Sequence, residues 1–272
     1  MARVRVLPNN SENAQMNDAA LARHLATEAG KLLLRLRDNQ QQDARALGAK
    51  GDREANTLIL DALRRERPDD ALLSEEEVAD PARLNARRVW IIDPLDGTRE
   101  YGERRDDWAV HVGLSIDGVA THGAVALPAL GLCFCTEFPP ALHPEAATLR
   151  MLVSRTRPAA EALSCAKSLG ADIVPMGSAG AKAMAVLRGE ADIYLHTGGQ
   201  YEWDNCAPAA VALAAGLHAS RVDGSPLVYN RADPLLPDLL ICHKSRAAEV
   251  LALVKGLPGR EHPTFDAQRR SD

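Results

Sequence analysis

Aromatic residues are scarce in this chain. They make up 4% of its 272 residues, so the hydrophobic core must consist mainly of Ala, Leu, Val and Ile. A chain of this length buries enough apolar surface to fold without disulfides or a structural metal. Cysteine is scarce too, with five residues, an odd number, and no CxxC pair. This usage indicates a reduced compartment, and we expect a cytoplasmic protein.

Basic residues are in the minority. Lys and Arg number 32 against 37 Asp and Glu, which gives a formal charge of −5. The sequence therefore lacks the broad basic surface of a protein that binds duplex nucleic acid. Binding of a small anionic ligand is not excluded by this charge, because a site can be locally cationic around a bound metal.

Long hydrophobic runs are missing. No apolar stretch follows the first residues, so no signal peptide is expected. The longest run without charge, residues 118–136, contains a His, a Pro and several Gly. It predicts a strand, a turn and a second strand, and no membrane insertion is expected.

Leucines at helical spacing predict a helix that begins at Asn17 or Asp18. A linker that includes Gly48 follows, and a second helix is predicted over residues 52–67. The first nine or ten residues and the last dozen are expected to be frayed ends.

Strand patterns come next in the chain. Residues 89–93 predict a short buried strand that runs into a Pro/Gly turn. Residues 108–116 alternate between apolar and other side chains, and Asp117-Gly118 supplies a hairpin turn to a returning strand over 119–127.

The second half of the chain alternates between short strands and helices from Met151 onward. We expect an N-terminal α+β half over residues 1–148 and a C-terminal α/β half over residues 149–272. No internal repeat is present.

The most informative stretch is WIIDPLDGT, residues 90–98. A buried strand delivers Asp93 and Asp96 at its end, Pro94 fixes the backbone, and Gly97 lets a ligand approach closely. Carboxylate oxygens suit Mg²⁺, which keeps positions for water and phosphate oxygens. The alternative is a plain turn, because Asp-Pro and Asp-Gly are both common turn dipeptides.

Further acids stand elsewhere in the chain. Glu75 and Glu76 follow the apolar residues 71–73, and their alternative is a solvated acidic loop. Asp204 precedes a helix and Asp52 begins one, so each could serve only as a helix cap.

Together these positions resemble the inositol monophosphatase-like family of lithium-sensitive, Mg²⁺-dependent phosphatases. The order Glu-Glu, DPLDGT, Gly177-Ser178 and Trp203-Asp204 matches that family from about Asp18 to Lys244. The resemblance implies an α/β (α+β) fold, a layered α-β-α-β-α sandwich of the sugar-phosphatase type with the site between the halves. It also implies a homodimer.

The resemblance assigns two or three Mg²⁺ ions to a set of ligands: Glu75, Asp93, the carbonyl of Leu95, Asp96 and Asp204. It implies a substrate site that is lined by Glu75, Leu95, Asp96, Gly97, Thr98, Lys182 and Asp204.

The resemblance also implies catalytic roles. Thr98 and Asp52 would orient the attacking water, and Glu76 would hold metal-bound water. Gly97 and Thr98 would offer N–H groups to the phosphate. One departure stands out: family members usually carry a Lys and a Pro-Val-Thr segment before this aspartate, where residues 48–51 read Gly-Ala-Lys-Gly.

Two metals can lower the pKa of water and neutralise both the attacking and the leaving oxygen, so phosphate hydrolysis needs no protein nucleophile. A covalent route is disfavoured because Cys165 opens no Cys-x5-Arg loop. We expect His196 and His218 to be structural or surface residues.

The run Thr98-Arg99-Glu100-Tyr101 resembles the 3'(2'),5'-bisphosphate nucleotidase branch of the family, the CysQ type. This branch removes the 3'-phosphate of 3'-phosphoadenosine 5'-phosphate, a by-product of sulfate assimilation, and the sulfated nucleotide is a further candidate. Inositol-1-monophosphatase or fructose-1,6-bisphosphatase activity is the alternative, and a catalytically inactive nucleotide or metal sensor is a third reading. Arg99, Arg105 and Lys182 are candidates for the second phosphate, with a solvated surface position as the alternative for each. Tyr201 could stack on the adenine or serve in packing.

Overall fold

The computed structural model describes residues 16–38 and 43–257. The ends that we expected to be frayed lie largely outside the described residues. Within these residues the α-helices are α1 Asp18–Asp38, α2 Ala44–Glu66, α3 Thr98–Gly102, α4 Ala160–Leu169, α5 Ala179–Leu187, α6 Glu202–Ala214 and α7 Lys244–Lys255.

The strands of the same residues are β1 Ala71–Ser74, β2 Arg88–Asp96, β3 Ala109–Ile116, β4 Val119–Leu127, β5 Leu132–Cys135, β6 Arg150–Ser154, β7 Asp172–Met176, β8 Ile193–His196, β9 His218–Ser220 and β10 Leu239–Cys242. Short 3₁₀ turns lie at Pro81–Asn85 and Pro128–Leu130.

The start of α1 is as predicted, since the Asn17 side chain accepts the Ala20 N–H at 2.8 Å. The predicted start of α2 at residue 52 is wrong. The helix begins at Ala44, and Asp43 caps it by accepting the N–H groups of Arg45 and Ala46. Glycine at position 48 suggested a linker, yet it lies inside the helix.

The first sheet has the order β1-β2-β3-β4-β5. β1 runs parallel to β2, and the other pairs are antiparallel. The predicted hairpin is confirmed as β3 and β4, with Asp117 and Gly118 both at positive φ in the turn between them.

The second sheet has the order β7-β6-β8-β10-β9. β6 pairs in parallel with β7 and β8, whereas β10 is antiparallel to both of its neighbours. Crossovers through α4 and α5 connect the parallel strands, as the alternating pattern of the second half predicted.

Five layers result. α1 and α2 cover one face of the first sheet, α5 and α6 fill the space between the sheets, and α4 and α7 cover the outer face of the second sheet. The predicted α-β-α-β-α sandwich is therefore confirmed. Residues 136–149 connect the two sheets, and the division into halves at residue 148 stays a prediction.

The core consists mainly of Ala, Leu, Val and Ile, as the composition requires. Ala22, Ala26 and Ala29 are fully buried on α1, where small side chains let the helix lie close to the sheet. All five cysteines are free. No helix in the described ranges has the length and apolar character needed to cross a membrane.

Candidate active site

Two carboxylates face the same side of the first sheet because β2 is bulged. Asp93 is paired with His111 and Asp96 with Ala109, so two residues of β2 lie opposite one residue of β3. Residues three apart in a regular strand face opposite sides, and the extra residue brings Asp93 and Asp96 to one side. Their exposed fractions are 2% and 7%.

A third carboxylate comes from the first turn of α6. Asp204 accepts the Tyr201 N–H at 2.6 Å. It does not precede the helix as its N-cap, because α6 begins at Glu202 and Tyr201 is the capping residue. One oxygen each of Asp93, Asp96 and Asp204 lies within 4.8 Å of the others. Glu75, just after β1, lies close enough to these aspartates that their side chains shift its pKa.

Asp52 faces this cluster from α2. It lies inside the helix and is buried, so it is not a cap. The Thr98 hydroxyl lies beside the Asp52 carboxylate and donates to the Leu95 carbonyl at 3.2 Å. A Cβ at Gly48, one turn before Asp52, would lie 2.6 Å from Thr98 Cγ2. The glycine that suggested a linker therefore allows α2 to pack against Thr98.

Asp96 is held in one orientation. Its Oδ2 accepts the Ser178 hydroxyl at 2.5 Å and the Gly180 N–H at 2.6 Å, and His111 Nε2 lies 3.1 Å away. Ser178 adopts φ +46°, a costly conformation for a residue with a side chain. Such strain is often found where a site requires one particular geometry.

Several carboxyl groups of the cluster resist ionisation. Burial, with the charges of Glu76 and Glu75, raises the pKa of Asp52 to about 8. Desolvation and Asp204 raise the pKa of Glu75 to about 7, and burial and Asp96 raise the pKa of Asp204 to about 6. Burial and the neighbouring acids hold the pKa of Asp93 well above its usual range.

Asp96 shows the opposite shift. Burial alone would raise its pKa, but the contacts with His111 and Ser178 and the charge of Lys182 lower it to about 2. Burial disfavours the charged form of His111, yet the Asp96 carboxylate outweighs this and raises the pKa of His111. The cluster therefore contains one firmly ionised carboxylate among several that repel one another.

These residues fit a divalent metal ion. The donors are carboxylate and carbonyl oxygens, which suit Mg²⁺, Ca²⁺ and Mn²⁺. The buried Asp52 Oδ1 has no hydrogen-bond partner among the residues that the structure describes, and burial with the neighbouring acids raises the pKa of Asp52 and of Asp93. The acidic cluster could therefore hold metal, with Asp93, Asp96 and Asp204 at its centre.

A cleft of about 330 Å³ extends from the cluster toward the second sheet. Cationic and polar side chains also line this cleft: Arg99, Arg155, Arg157, Lys182, His196 and Gln200. Lys182 is buried, and its ammonium donates to the carbonyls of Gly177 at 3.1 Å and Ser178 at 2.6 Å.

The arginines near the cleft differ in their partners. Arg105 forms a bidentate pair with Asp107, at 2.7 and 3.0 Å. Arg155 pairs at 2.8 Å with the buried Glu100. Arg99 and Arg157 are exposed at the cleft. Of the sequence candidates for a second phosphate, Arg99 is thus the most open.

The structure brings most of the predicted site residues together. The three aspartates, Glu75, Asp52, Thr98 and Gly97 meet at one end of the first sheet. Glu76 is exposed and close enough to raise the pKa of Asp52. Tyr201 is exposed and stacks on Trp203, with ring centroids 4.8 Å apart. The roles assigned to these side chains stay predictions.

Sequence reasoning missed two contributors. His111 was predicted only as part of the alternating strand over residues 108–116, although a single His among apolar strand residues was a usable signal. The Glu100–Arg155 pair joins residues 55 apart in sequence and left no local signal. His196, expected to be structural, lines the cleft, whereas His218 bonds to Ser220 at 2.8 Å in β9.

The bulged strand, the acidic cluster and the five-layer arrangement define a protein of the sugar-phosphatase fold. The sequence model of the inositol monophosphatase family matches residues 14–256. The chain belongs to this family.

Curated relatives agree with this assignment. A Mycobacterium leprae protein named 3'-phosphoadenosine 5'-phosphate phosphatase is 51% identical over 259 residues, or 89% of this chain and 95% of that protein. The Escherichia coli K12 protein named 3'(2'),5'-bisphosphate nucleotidase CysQ is 30% identical over 197 residues, or 68% of this chain and 80% of that protein.

The fold is also found among solved structures. The crystal structure of CysQ from Bacteroides thetaiotaomicron, described as a bacterial member of the inositol monophosphatase family, gives a TM-score of 0.73 at 24% identity. The match covers 84% of this chain and 97% of that one.

Proposed function

We propose that this chain is a phosphatase that removes the 3'-phosphate of 3'-phosphoadenosine 5'-phosphate to give AMP and inorganic phosphate. The observation that carries the proposal is the acidic cluster in a chain that is 51% identical, over most of its length, to a protein of that name. One water is consumed, the bond between phosphorus and the 3'-oxygen breaks, and the 3'-oxygen leaves with a proton.

Two or three Mg²⁺ ions fit the donor set best in this proposal. Glu75, Asp93, the Leu95 carbonyl, Asp96 and Asp204 would hold them. Bound Mg²⁺ would lower the pKa of water and neutralise charge on the phosphoryl oxygens.

Side chains of the protein would position the attacking water and accept its proton. The Thr98 hydroxyl donates to Leu95 O, so its lone pairs are free to accept a hydrogen bond from water. The Asp52 side chain lies beside that hydroxyl and, in the ionised form that bound cations would favour, would take up a proton from the water. Glu76, at the rim, would orient the same water.

The exposed arginines that line the cleft suit the second phosphate of the nucleotide. Arg99 and Arg157 are exposed there, and a guanidinium can bind phosphate oxygens in a bidentate manner. Lys182 contributes positive charge, although two carbonyls already accept from its ammonium. A substrate with one phosphate would leave these cationic side chains without a phosphate to bind.

The resemblance supports further proposals. Li⁺ at millimolar concentration would reduce turnover, the chain would form a homodimer, and the enzyme would act in the cytoplasm in sulfate assimilation. Turnover with added LiCl and the mass measured by light scattering test the first two.

A substrate panel tests the proposed function. Phosphate release is measured with Mg²⁺ from 3'-phosphoadenosine 5'-phosphate, its sulfated form, inositol 1-phosphate and fructose 1,6-bisphosphate, each also with excess EDTA. We expect the highest kcat/KM for a nucleotide and no turnover with EDTA. A preference for either sugar phosphate would reject the nucleotidase assignment, and no turnover of any substrate would favour a sensor.

A further inference from the structure

His111 is fully buried at the centre of the molecule. It lies on the face of β3 that points between the two sheets, with the small residues Ala109 and Gly113 on either side. A Cβ at Gly113 would lie 2.9 Å from Cys206 Sγ and 3.0 Å from the backbone nitrogen of Ala207. These small neighbours let α6 pack closely against the strand that carries the imidazole.

Both ring nitrogens face oxygen atoms. Nδ1 lies 3.0 Å from the carbonyl oxygen of Trp203, in the first turn of α6. Nε2 lies 3.1 Å from Asp96 Oδ2, at the end of β2. A carbonyl is an acceptor only, so Nδ1 is placed to donate to Trp203, whereas Nε2 lies at ion-pair distance from the Asp96 carboxylate without hydrogen-bond geometry. The imidazole therefore links the β2 carboxylate to the residue just before Asp204.

The backbone around the ring is shaped to it. An ideal Cβ at Gly180 would lie 2.0 Å from His111 Nε2, so no other residue type fits without moving the imidazole. The same residue donates its N–H to Asp96 Oδ2 at 2.6 Å. Glycine at this position thus allows the helix start and the ring to contact one carboxylate oxygen.

We propose that His111 is a positioning residue that fixes Asp96 and the first turn of α6. The Asp96 carboxylate from β2 and the Asp204 carboxylate from α6 then face one metal site. The inference rests on the proposed function, because it assumes that Asp96 and Asp204 bind a cation. His111 itself contacts neither substrate nor cation. It acts through the orientation of Asp96 and through the Trp203 carbonyl.

Three variants separate its two contacts. In H111N the amide nitrogen stands near the position of Nδ1 and can keep the Trp203 contact. In H111Q it stands near the position of Nε2 and can keep the Asp96 contact. H111L fills similar volume and loses both contacts. His218→Asn, on the distant strand β9, is the matched control.

The experiment measures Mn²⁺ binding by isothermal titration calorimetry on the full chain, without substrate. Loss of partners that orient metal ligands typically weakens binding about 10- to 100-fold, and we expect this in H111L. H111N and H111Q should each recover part of the loss, and H218N should bind as the parent does. The Mg²⁺ concentration for half-maximal turnover should rise in the same order, with KM for the nucleotide at saturating Mg²⁺ little changed.

The outcomes are distinct. If the parent chain binds no divalent cation, the proposed function falls and this inference falls with it. If the parent binds and H111L binds within about twofold of it, the inference alone is overturned. If H111L does not fold, H111N and H111Q decide, and parent-like affinity in both overturns the inference.

Discussion

Replacing Asp52 by Asn should stabilise the metal-free protein at pH 8 while it removes turnover. Asp52 is 7% exposed, its Oδ1 has no hydrogen-bond partner within residues 16–38 and 43–257, and its pKa is raised from 3.8 to about 8. Burial is the largest cause, and the negative charges of Glu76 and Glu75 add to it. Ionisation of Asp52 therefore opposes folding.

The direction of the pH dependence of stability follows from proton binding. Between about pH 4 and pH 8 the folded state holds a proton on Asp52 that the unfolded state has lost, so stability falls as pH rises through this window. One pKa unit corresponds to about 1.4 kcal/mol, which puts an upper limit of about 4 kcal/mol on the loss between pH 5 and pH 8. Local relaxation reduces this, and we expect about 2 kcal/mol.

Thermal unfolding in EDTA measures the effect at pH 5 and pH 8. The melting temperature of the parent should fall further between the two pH values than that of D52N, by roughly 4 to 8 °C for a chain of this size. Asp61→Asn, an exposed change on the same helix, should follow the parent. Equal pH dependence of the parent and D52N, or a less stable D52N at pH 8, would refute the reasoning.

Other predictions concern the cluster and its supports. Gly180→Ala places a Cβ 2.0 Å from His111 Nε2, so it should lower the free energy of unfolding in urea by about 1–3 kcal/mol and lower turnover. A stability and a turnover equal to those of the parent would contradict the contact. Arg155→Ala leaves the buried Glu100 without this cation and should lower the urea concentration at the midpoint of unfolding. An unchanged midpoint would mean that water replaces the pair. Cation binding should release protons at pH 6.5, since the pKa of Glu75 is about 7 without metal, and the part released by Glu75 should shrink as the pH rises through that value. Calorimetry in buffers of different ionisation enthalpy measures the release, and no release at pH 6.5 would contradict the shift.

The fold was predictable where the pattern was local. The hairpin of β3 and β4 follows from alternating side chains and an Asp-Gly turn, and the helix cap at Asn17 follows from residue type. The start of α2 was missed because Gly48 favours a linker by propensity. Glycine is required at position 48 because α2 packs there against Thr98, a residue that is distant in sequence.

The site was predictable in its residues but not in its geometry. The DPLDGT motif identified Asp93 and Asp96, yet their common orientation depends on the bulge opposite β3, which the motif alone does not reveal. His111 was missed for a related reason. Its contacts reach β2 and α6 together, and only the packed structure brings those elements against one strand.

The identity of the product is the decisive measurement. 3'-Phosphoadenosine 5'-phosphate is incubated with the chain and Mg²⁺, and the products are separated by liquid chromatography. The proposed function predicts 5'-AMP and one equivalent of phosphate, with turnover lost by orders of magnitude in Asp93→Asn and retained in the exposed control Asp172→Asn. Formation of 3'-AMP, or undiminished turnover in D93N, would contradict it.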